Sequence, residues 1–319
     1  MDKISCGADE SQRRELRKLR LDLGAVVSEA LDNPRTVEVL LNADGTLWEE
    51  PLGEPMQSIG AMPAFQAESL IRCVAAILKT TVTRDNPILE GELPDGSRFS
   101  AQLPPVVPAP VFSIRKRASA VFPLADYVVR GIMTLGQMET LVEAVRDHRN
   151  LLISGGTGSG KSTLGNAILA EITRQFPDER VLVIEDTVEL QLSSPNCLQY
   201  RTSETVDMRR LLRTTLRMRP DRVIVGEVRG PEALNLLLSW NLGHPGGLAT
   251  VHANSARAAL PRLEMLVSMN PEAPRAIEPF IAEVQPVIAH IERASGGRRL
   301  REIIEVQDYT KDGYQLRAL

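Results

Sequence analysis

The glycine-rich segment Gly155–Ser162 is the feature that most constrains how this chain can fold. Its sequence, GGTGSGKS, matches the pattern G-x-x-x-x-G-K-[S/T] at every fixed position. It follows the apolar run Leu151–Ile153 and precedes a segment with helical spacing. Glycines let such a loop wrap with its N–H groups turned inward, and the following helix adds its positive end. The segment therefore predicts a site for the phosphates of a nucleotide.

The residue types of this loop predict separate tasks. Lys161 is expected to reach the β- and γ-phosphates, and the Ser162 hydroxyl is expected to bind Mg²⁺. The other residues expected to line the phosphates are Gly155, Gly156, Thr157, Gly158, Ser159, Gly160 and Thr163.

From about Leu124 onward, short apolar strands alternate with helices. The predicted strands are Leu151–Ile153, Val181–Ile184, Val223–Val225 and Leu248–Val251. Continuous apolar runs of this length are typical of strands buried on both faces of a parallel sheet. The predicted crossover helices lie near Lys161–Gln175, Val206–Arg217 and Pro231–Trp240, and a late hairpin is predicted from Val287–Arg293 and Arg298–Gln307. The pattern predicts an α/β domain over residues 117–319.

The first part of the chain predicts a smaller α+β domain over residues 1–116. The predicted elements are helices over Glu10–Leu31 and Ala64–Lys79, hairpins over Thr36–Glu50 and Pro87–Leu103, and a last strand over Phe112–Lys116. Pro104–Pro110 lacks most amide donors and is predicted as an extended crossing segment near the end of this domain. The first helix carries a basic face. This face is predicted either to be exposed to solvent or to contact anionic lipid or a partner.

Composition excludes several classes of protein. The chain has 319 residues, of which 43% are hydrophobic and 24% charged, as expected for about two folded domains. No apolar run approaches the ~18 residues of a membrane span, and Met1–Glu10 lacks the apolar region of a secretory signal. A net charge of -4 and 4% aromatic residues make direct nucleic-acid binding an unfavoured prediction.

Cysteine usage predicts a reducing, cytoplasmic location. The three cysteines, Cys6, Cys73 and Cys197, are far apart and form no CxxC pair. Neither a disulfide framework nor a zinc site is therefore predicted.

Acidic residues follow two of the predicted strands. Glu185 and Asp186 end the strand Val181–Ile184, and Glu227 follows the strand Val223–Val225. The carboxyl ends of parallel strands form the edge at which ligands bind in open α/β sheets. Glu227 is the predicted residue for the attacking water, and Glu185 and Asp186 are the predicted acids on the metal side. Glu189 is a weaker candidate, and structural ion pairing is the alternative for each acid.

One histidine and several arginines complete the candidate site. His252 ends an apolar strand and reaches the same edge, where it could sense the γ-phosphate, orient the glutamate or be purely structural. His148 and His290 are predicted to be surface residues. Phosphoryl transfer needs further positive charge, and position alone does not choose among Arg98, Arg115, Arg213, Arg217, Arg219 and Arg229.

Together these segments resemble the secretion-motor ATPases of type II secretion, type IV secretion and type IV pili. Four boxes of that superfamily occur in order: Gly155–Ser162, Val183–Leu190 as VIEDTVEL, Arg222–Gly230 as RVIVGEVRG, and Gly247–Ser255 as GLATVHANS. The segment Ser239–Gly247 and the glycine at position 230, where pilus and type II members usually carry Asp, resemble the conjugation and type IV secretion branch. The four-cysteine zinc module typical of the assembly ATPases cannot be built from this chain.

The resemblance implies a RecA-like C-terminal domain and a role for each matching residue. It implies that Lys161 and Ser162 bind ATP phosphates and Mg²⁺, that Glu227 is the catalytic glutamate, and that His252 is the histidine of its box. Glu185 and Asp186 belong to the acidic box. Arg98 in GSRFS and Arg115 in FSIRK match two N-terminal-domain arginines that reach the nucleotide.

The function implied by this resemblance is Mg²⁺-dependent ATP hydrolysis by a homohexamer. The ring would lie on the cytoplasmic side of a bacterial inner membrane and power pilus biogenesis or substrate transfer with other components of a conjugation apparatus. One alternative is a type II secretion or type IV pilus motor. A second is a nucleotide-gated ring scaffold in which hydrolysis is incidental. A DNA-translocating protein is less favoured by the charge and aromatic content.

Overall fold

The computed structural model describes residues 10–117, 121–203, 205–295 and 297–319, with backbone alone over residues 10–16. The prediction about a leader at Met1–Glu10 falls almost entirely outside these residues. The chain divides into two compact units, Met1–Ser119 and Ala120–Leu319. Among the described residues, none of the helices has both the length and the hydrophobicity needed to cross a bilayer.

The N-terminal unit is an antiparallel sheet with two helices. Its elements are α1 (Glu10–Asp32), β1 (Thr36–Leu41), β2 (Thr46–Pro51), β3 (Gln57–Ala61), α2 (Ala64–Ile77), β4 (Ile88–Glu92), β5 (Arg98–Gln102) and β6 (Val111–Arg115). The sheet order within the described residues is β3-β2-β1-β6-β5-β4. Both predicted hairpins are confirmed, and Gly45 and Gly96 sit in their turns at φ 85°, which a side chain would strain. The α+β prediction for this part of the chain is therefore confirmed.

Helix α1 packs its apolar face on the sheet domain and contains a kink. Leu19, Leu23 and Val27 are buried. Gly24 adopts φ 72°, ψ 173° inside the helix, and a Cβ there would lie 2.8 Å from the Gln66 side-chain nitrogen. The kink therefore depends on glycine at this position. On the basic face, Lys18 forms an ion pair with a carboxylate one turn further along the helix.

The proline-rich segment differs from its prediction. Pro104–Pro110 joins the neighbouring antiparallel strands β5 and β6, and Gln102 pairs directly with Val111 across them. An extended crossing segment was therefore the wrong expectation, because the two ends of the segment must return to adjacent positions. The segment is a loop inside the N-terminal unit.

The C-terminal unit is a larger sheet covered by helices. Its elements are α3 (Leu124–Val129), α4 (Leu135–Arg146), β7 (Leu151–Gly155), α5 (Lys161–Gln175), β8 (Val181–Glu185), β9 (Cys197–Arg201), α6 (Met208–Thr215), a short 3-10 helix (Leu216–Met218), β10 (Arg222–Val225), α7 (Glu232–Asn241), β11 (Leu248–His252), α8 (Ala259–Ser268), α9 (Ile277–Val284), β12 (Val287–Ala294), β13 (Gly297–Thr310) and β14 (Gly313–Ala318). The order of the sheet in the described part of the chain is β14-β13-β12-β7-β11-β10-β8-β9.

The strands from β12 to β9 run parallel, as predicted for the apolar runs. Every residue of β7, β8 and β10 is buried. Alternate residues of each strand enter one of two hydrophobic cores, with Leu152 and Val223 in one and Ile153 and Ile224 in the other. One core packs against α6 to α9 and the other against α3 to α5. Burial of each large aliphatic side chain contributes roughly 1.5–3 kcal/mol, which stabilises a sheet covered on both faces.

Candidate active site

The loop Gly155–Ser162 connects the buried strand β7 to helix α5. Gly158 and Gly160 adopt φ 67° and 99°, a left-handed conformation in which other residues are strained. Helix α5 begins at Lys161, directly after the left-handed Gly160. The loop therefore presents backbone N–H groups and the positive end of a 15-residue helix to the same edge of the sheet.

The Lys161 side chain lies over the loop and joins it to the neighbouring strand β11. Its ammonium donates to the carbonyl oxygens of Gly155 at 3.1 Å and Gly156 at 2.9 Å. It also lies 3.3 Å from Nδ1 of His252. Lys161 is 7% exposed, so phosphate oxygens would meet a nearly buried cation there.

His252 contacts both Lys161 and Glu227. His252 ends β11, and Nε2 lies 2.9 Å from Oε1 of Glu227, which follows β10. Burial and the neighbouring Lys161 ammonium lower the pKa of His252. A neutral ring can accept from Lys161 at Nδ1. The contact of Nε2 with Glu227 is a close polar contact, since the buried Oε1 accepts no hydrogen bond from the described residues. The imidazole therefore links the loop lysine to the carboxylate.

Glu227 is held as a carboxylate by an arginine of its own turn. Nη2 of Arg229 donates to Oε2 of Glu227 at 2.7 Å. Burial opposes ionisation of Glu227, but the hydrogen bond and charge of Arg229 outweigh it, so the pKa of Glu227 is lowered. An ionised carboxylate at this position can orient a water molecule or accept its proton.

Glu232 shapes the turn that follows Glu227. Oε1 of Glu232 accepts the backbone N–H groups of Arg229 at 2.7 Å and Gly230 at 2.8 Å. A Cβ at Gly230 would lie 2.9 Å from the other carboxylate oxygen of Glu232. A side chain at position 230 would therefore require the Glu232 carboxylate to shift.

The acidic residues after β8 divide into two roles that the sequence could not separate. Glu185 is buried, and its Oε1 accepts the N–H groups of Glu189 and Leu190, each at 2.9 Å. Its Oε2 accepts from the Gln199 side chain at 2.8 Å. Burial raises the pKa of Glu185 in spite of these hydrogen bonds. Glu185 thus orders the segment that carries Glu189.

Glu189, rather than Glu185 or Asp186, contacts the loop serine. The Ser162 hydroxyl donates to Oε2 of Glu189 at 2.6 Å. Asp186 accepts from the Thr202 hydroxyl at 2.9 Å. The structure therefore brings together Ser162 and the acid that sequence reasoning ranked lower. The one sequence signal that could have indicated this role for Glu189 is its position four residues after Glu185.

The residues at this edge fit Mg²⁺, which prefers oxygen ligands and commonly binds through one or two protein groups plus phosphates. A serine hydroxyl and a carboxylate within 2.6 Å supply that donor set. Among the described residues no cluster of three His, Cys, Asp or Glu side chains could hold a metal ion unaided.

The other candidate arginines lie in separate places. Arg98 and Arg115 are register partners on strands β5 and β6 of the N-terminal unit, so their side chains leave the same face of that sheet. Arg213 pairs with Glu272 at 2.6 Å. Of the six, Arg229 is the one that contacts Glu227, the predicted catalytic residue.

Of the two histidines predicted at the surface, His290 is buried and His148 is partly exposed. His290 is 2% exposed, and its Nδ1 lies 3.0 Å from the Ser154 hydroxyl. The reason is that β12 lies beside β7, with His290 paired to Ser154 in the sheet. His148 is half-buried, with Nε2 2.6 Å from Oε1 of Glu179 and its ring against Phe176.

The strand order and the loop together define a RecA-like nucleotide-binding fold of the secretion ATPase class. The sequence profile described as "Type II/IV secretion system protein" matches residues 60–292. The chain belongs to this family, as the motifs predicted.

A curated relative and two solved structures agree with this assignment. The chain is 47% identical over 309 residues to "Probable conjugal transfer protein TrbB" of Sinorhizobium fredii, covering 97% of this chain and 94% of the relative. The VirB11 ATPase of the Brucella suis type IV secretion system, in complex with sulphate, is 26% identical, with a TM-score of 0.50 over 92% of this chain and 96% of that one. The Legionella pneumophila ATPase DotB shares the fold, with 19% identity and a TM-score of 0.62 over 98% of this chain and 84% of that one.

Proposed function

We propose that this protein hydrolyses ATP with Mg²⁺ and powers a bacterial conjugation or type IV secretion apparatus. The observation that carries the proposal is the continuous contact from Lys161 through His252 to Glu227 beside a phosphate loop. On one edge of the sheet, the ammonium of Lys161 would meet phosphates and the ionised carboxylate of Glu227 would meet a water molecule. Membership of the secretion family supplies the biological context.

Binding of ATP is assigned to the loop and the first turn of α5. The residues are Gly155, Gly156, Thr157, Gly158, Ser159, Gly160, Lys161, Ser162 and Thr163. Phosphate oxygens would replace the loop carbonyls as partners of the Lys161 ammonium. Ser162 and Glu189 would hold Mg²⁺, which neutralises phosphate charge when bound. The charge of Asp186 contributes to raising the pKa of Arg229, so Asp186 lies near the site and remains a candidate for the metal's water shell.

Hydrolysis is assigned to Glu227, with His252 and Arg229 as its partners. Glu227 would orient the attacking water and accept its proton, because its lowered pKa keeps it ionised. His252 would hold the carboxylate in position through Nε2. We assign Arg98 and Arg115 to charge stabilisation at the nucleotide, supported by the family resemblance and by their pairing across β5 and β6.

We further propose a homohexamer of two-domain subunits, with domains over residues 1–116 and 117–319. The ring would lie on the cytoplasmic side of the inner membrane and act with other components of the apparatus. The relative's name, which specifies conjugal transfer, supports a role in such an apparatus. Specific ATPase activity should fall when the protein is diluted, and Arg98→Ala should be nearly inactive. Activity independent of concentration, with Arg98→Ala silent, would contradict the ring mechanism.

Nucleotide binding is tested by calorimetry with ADP and by steady-state ATPase activity. Lys161→Ala should lose measurable ADP binding and hydrolysis, whereas Lys311→Ala, at an exposed position, should match the wild type. Unchanged ADP binding by Lys161→Ala would remove the loop assignment.

A further inference from the structure

The outer side of the phosphate loop packs against the β12–β13 hairpin. The α-carbon of Gly155 faces the carbonyl oxygen of Ile291, and that of Gly158 faces the guanidinium of Arg293. A Cβ at Gly160 would lie 3.0 Å from Cδ of Arg298. Glycine at position 155 is thus required for the close approach of the loop to the β12 backbone.

Arg293 makes a directed contact with the loop. Its Nε donates to the carbonyl oxygen of Gly158 at 3.2 Å. A peptide group is planar and trans, so this carbonyl and the N–H of Ser159 point in opposite directions. The Ser159 N–H accordingly points into the loop, where it lies 3.3 Å from the Gly156 carbonyl oxygen. Arg293 therefore fixes the orientation of a peptide within the loop Gly155–Ser162.

The two sides of the loop are held by different elements. Strand β11 borders β7 on one side and carries His252, which contacts Lys161. Strand β12 borders β7 on the other side and carries Arg293. None of the residues predicted for the site lies on β12 or β13.

We propose that Arg293 is a positioning residue for nucleotide binding, acting through the Gly158 carbonyl rather than through direct attraction to phosphate charge. The inference rests on the proposed function. It predicts that binding of both ADP and ATP depends on a hydrogen-bond donor at the Nε position of residue 293.

Two substitutions separate the hydrogen bond from the charge. Arg293→Gln places an amide nitrogen at the same distance along the side chain as Nε and removes the charge. Arg293→Met keeps the aliphatic stem and removes the donor. Arg301, on β13, is an exposed arginine paired with Glu292 at 3.1 Å, so Arg301→Gln and Arg301→Met are the matched controls.

The measurements are the Kd for ADP and the KM and kcat for ATP on the full chain, with thermal unfolding to check folding. Arg293→Met should weaken ADP binding about tenfold, the size expected for a hydrogen bond from a charged donor. The loss should fall mainly on KM, and Arg293→Gln should recover most of the affinity. Both Arg301 variants should bind ADP as the wild type does.

Three outcomes would overturn the proposal. Arg293→Met could bind ADP as tightly as the wild type, which would leave the contact without a role. Arg293→Gln could be as weak as Arg293→Met, which would make charge the cause. A loss in kcat alone would assign Arg293 to the chemical step. If Arg293→Met does not fold, Arg293→Ala replaces it. Absence of ADP binding by the wild type would instead count against the proposed function.

Discussion

His252 and Glu227 lie side by side at the ends of adjacent parallel strands, with Nε2 and Oε1 2.9 Å apart. The pairing follows from the sheet, because β10 and β11 are neighbours in register. The same imidazole reaches the Lys161 ammonium through its other nitrogen, at 3.3 Å. One side chain therefore contacts both the loop lysine and the proposed base.

This coupling predicts that His252→Ala lowers kcat more than it weakens ATP binding. Loss of this close polar contact should reduce kcat about tenfold, because Glu227 is no longer held in position. His244→Ala is the matched control, since the His244 ring contacts the Pro220 carbonyl oxygen away from Glu227. Steady-state kinetics give the result, and an unchanged kcat would mean that His252 is structural.

The two acids after β8, Asp186 and Glu189, should differ in their effect on Mg²⁺ dependence. Glu189→Gln should raise the Mg²⁺ concentration for half-maximal activity about tenfold, because Glu189 contacts Ser162. Asp186→Asn should have a smaller effect, and removal of Mg²⁺ with a chelator should abolish hydrolysis. The measurement is ATPase activity against free Mg²⁺. If Asp186→Asn shifts the curve and Glu189→Gln does not, the metal assignment passes to Asp186.

Much of the C-terminal fold could be predicted because its central strands are uniformly apolar. Leu151–Ile153 and Val181–Ile184 indicate burial on both faces without further information. Strands β3 and β9 were missed because they lie at sheet edges and have no buried residue, with mostly exposed residues in β3 and alternating exposed and partly buried residues in β9. Such short polar strands have no pattern that separates them from loops.

The parts of the site that could be predicted are those determined by the loop motif and by the order of the strands. Glu227 and His252 meet because both end parallel strands. Glu185 and Glu189 differ because the Glu185 carboxylate accepts backbone N–H groups of the segment after β8, whereas the Glu189 carboxylate contacts Ser162. The spacing of the two acids in the sequence does not determine which of them makes which contact. The contact of Arg293 with Gly158 arises from the pairing of β12 with β7, which no local signal reveals.

His290 should make the protein less stable as the pH falls. Burial lowers the pKa of His290 below its ordinary value of 6.5. The unfolded chain therefore binds the proton first, and stability is lost as the pH falls from about 6.5 through the folded-state pKa. The loss is at most ~1.4 kcal/mol per pH unit for one group.

Chemical denaturation of the wild type and His290→Gln between pH 5 and 7.5 measures this contribution. The wild type should lose more stability than His290→Gln on acidification, because glutamine does not titrate. Parallel curves for the two proteins would show that His290 is not the group responsible.

The role of Glu227 as the base in ATP hydrolysis is tested most directly by identifying the nucleotide bound to Glu227→Gln after incubation with radiolabelled ATP and Mg²⁺. Glu143→Gln, at an exposed position on α4, is the matched control. Glu227→Gln should retain ATP, whereas the wild type and Glu143→Gln should yield ADP. Conversion to ADP by Glu227→Gln at the wild-type rate would contradict the assignment of Glu227 as the base.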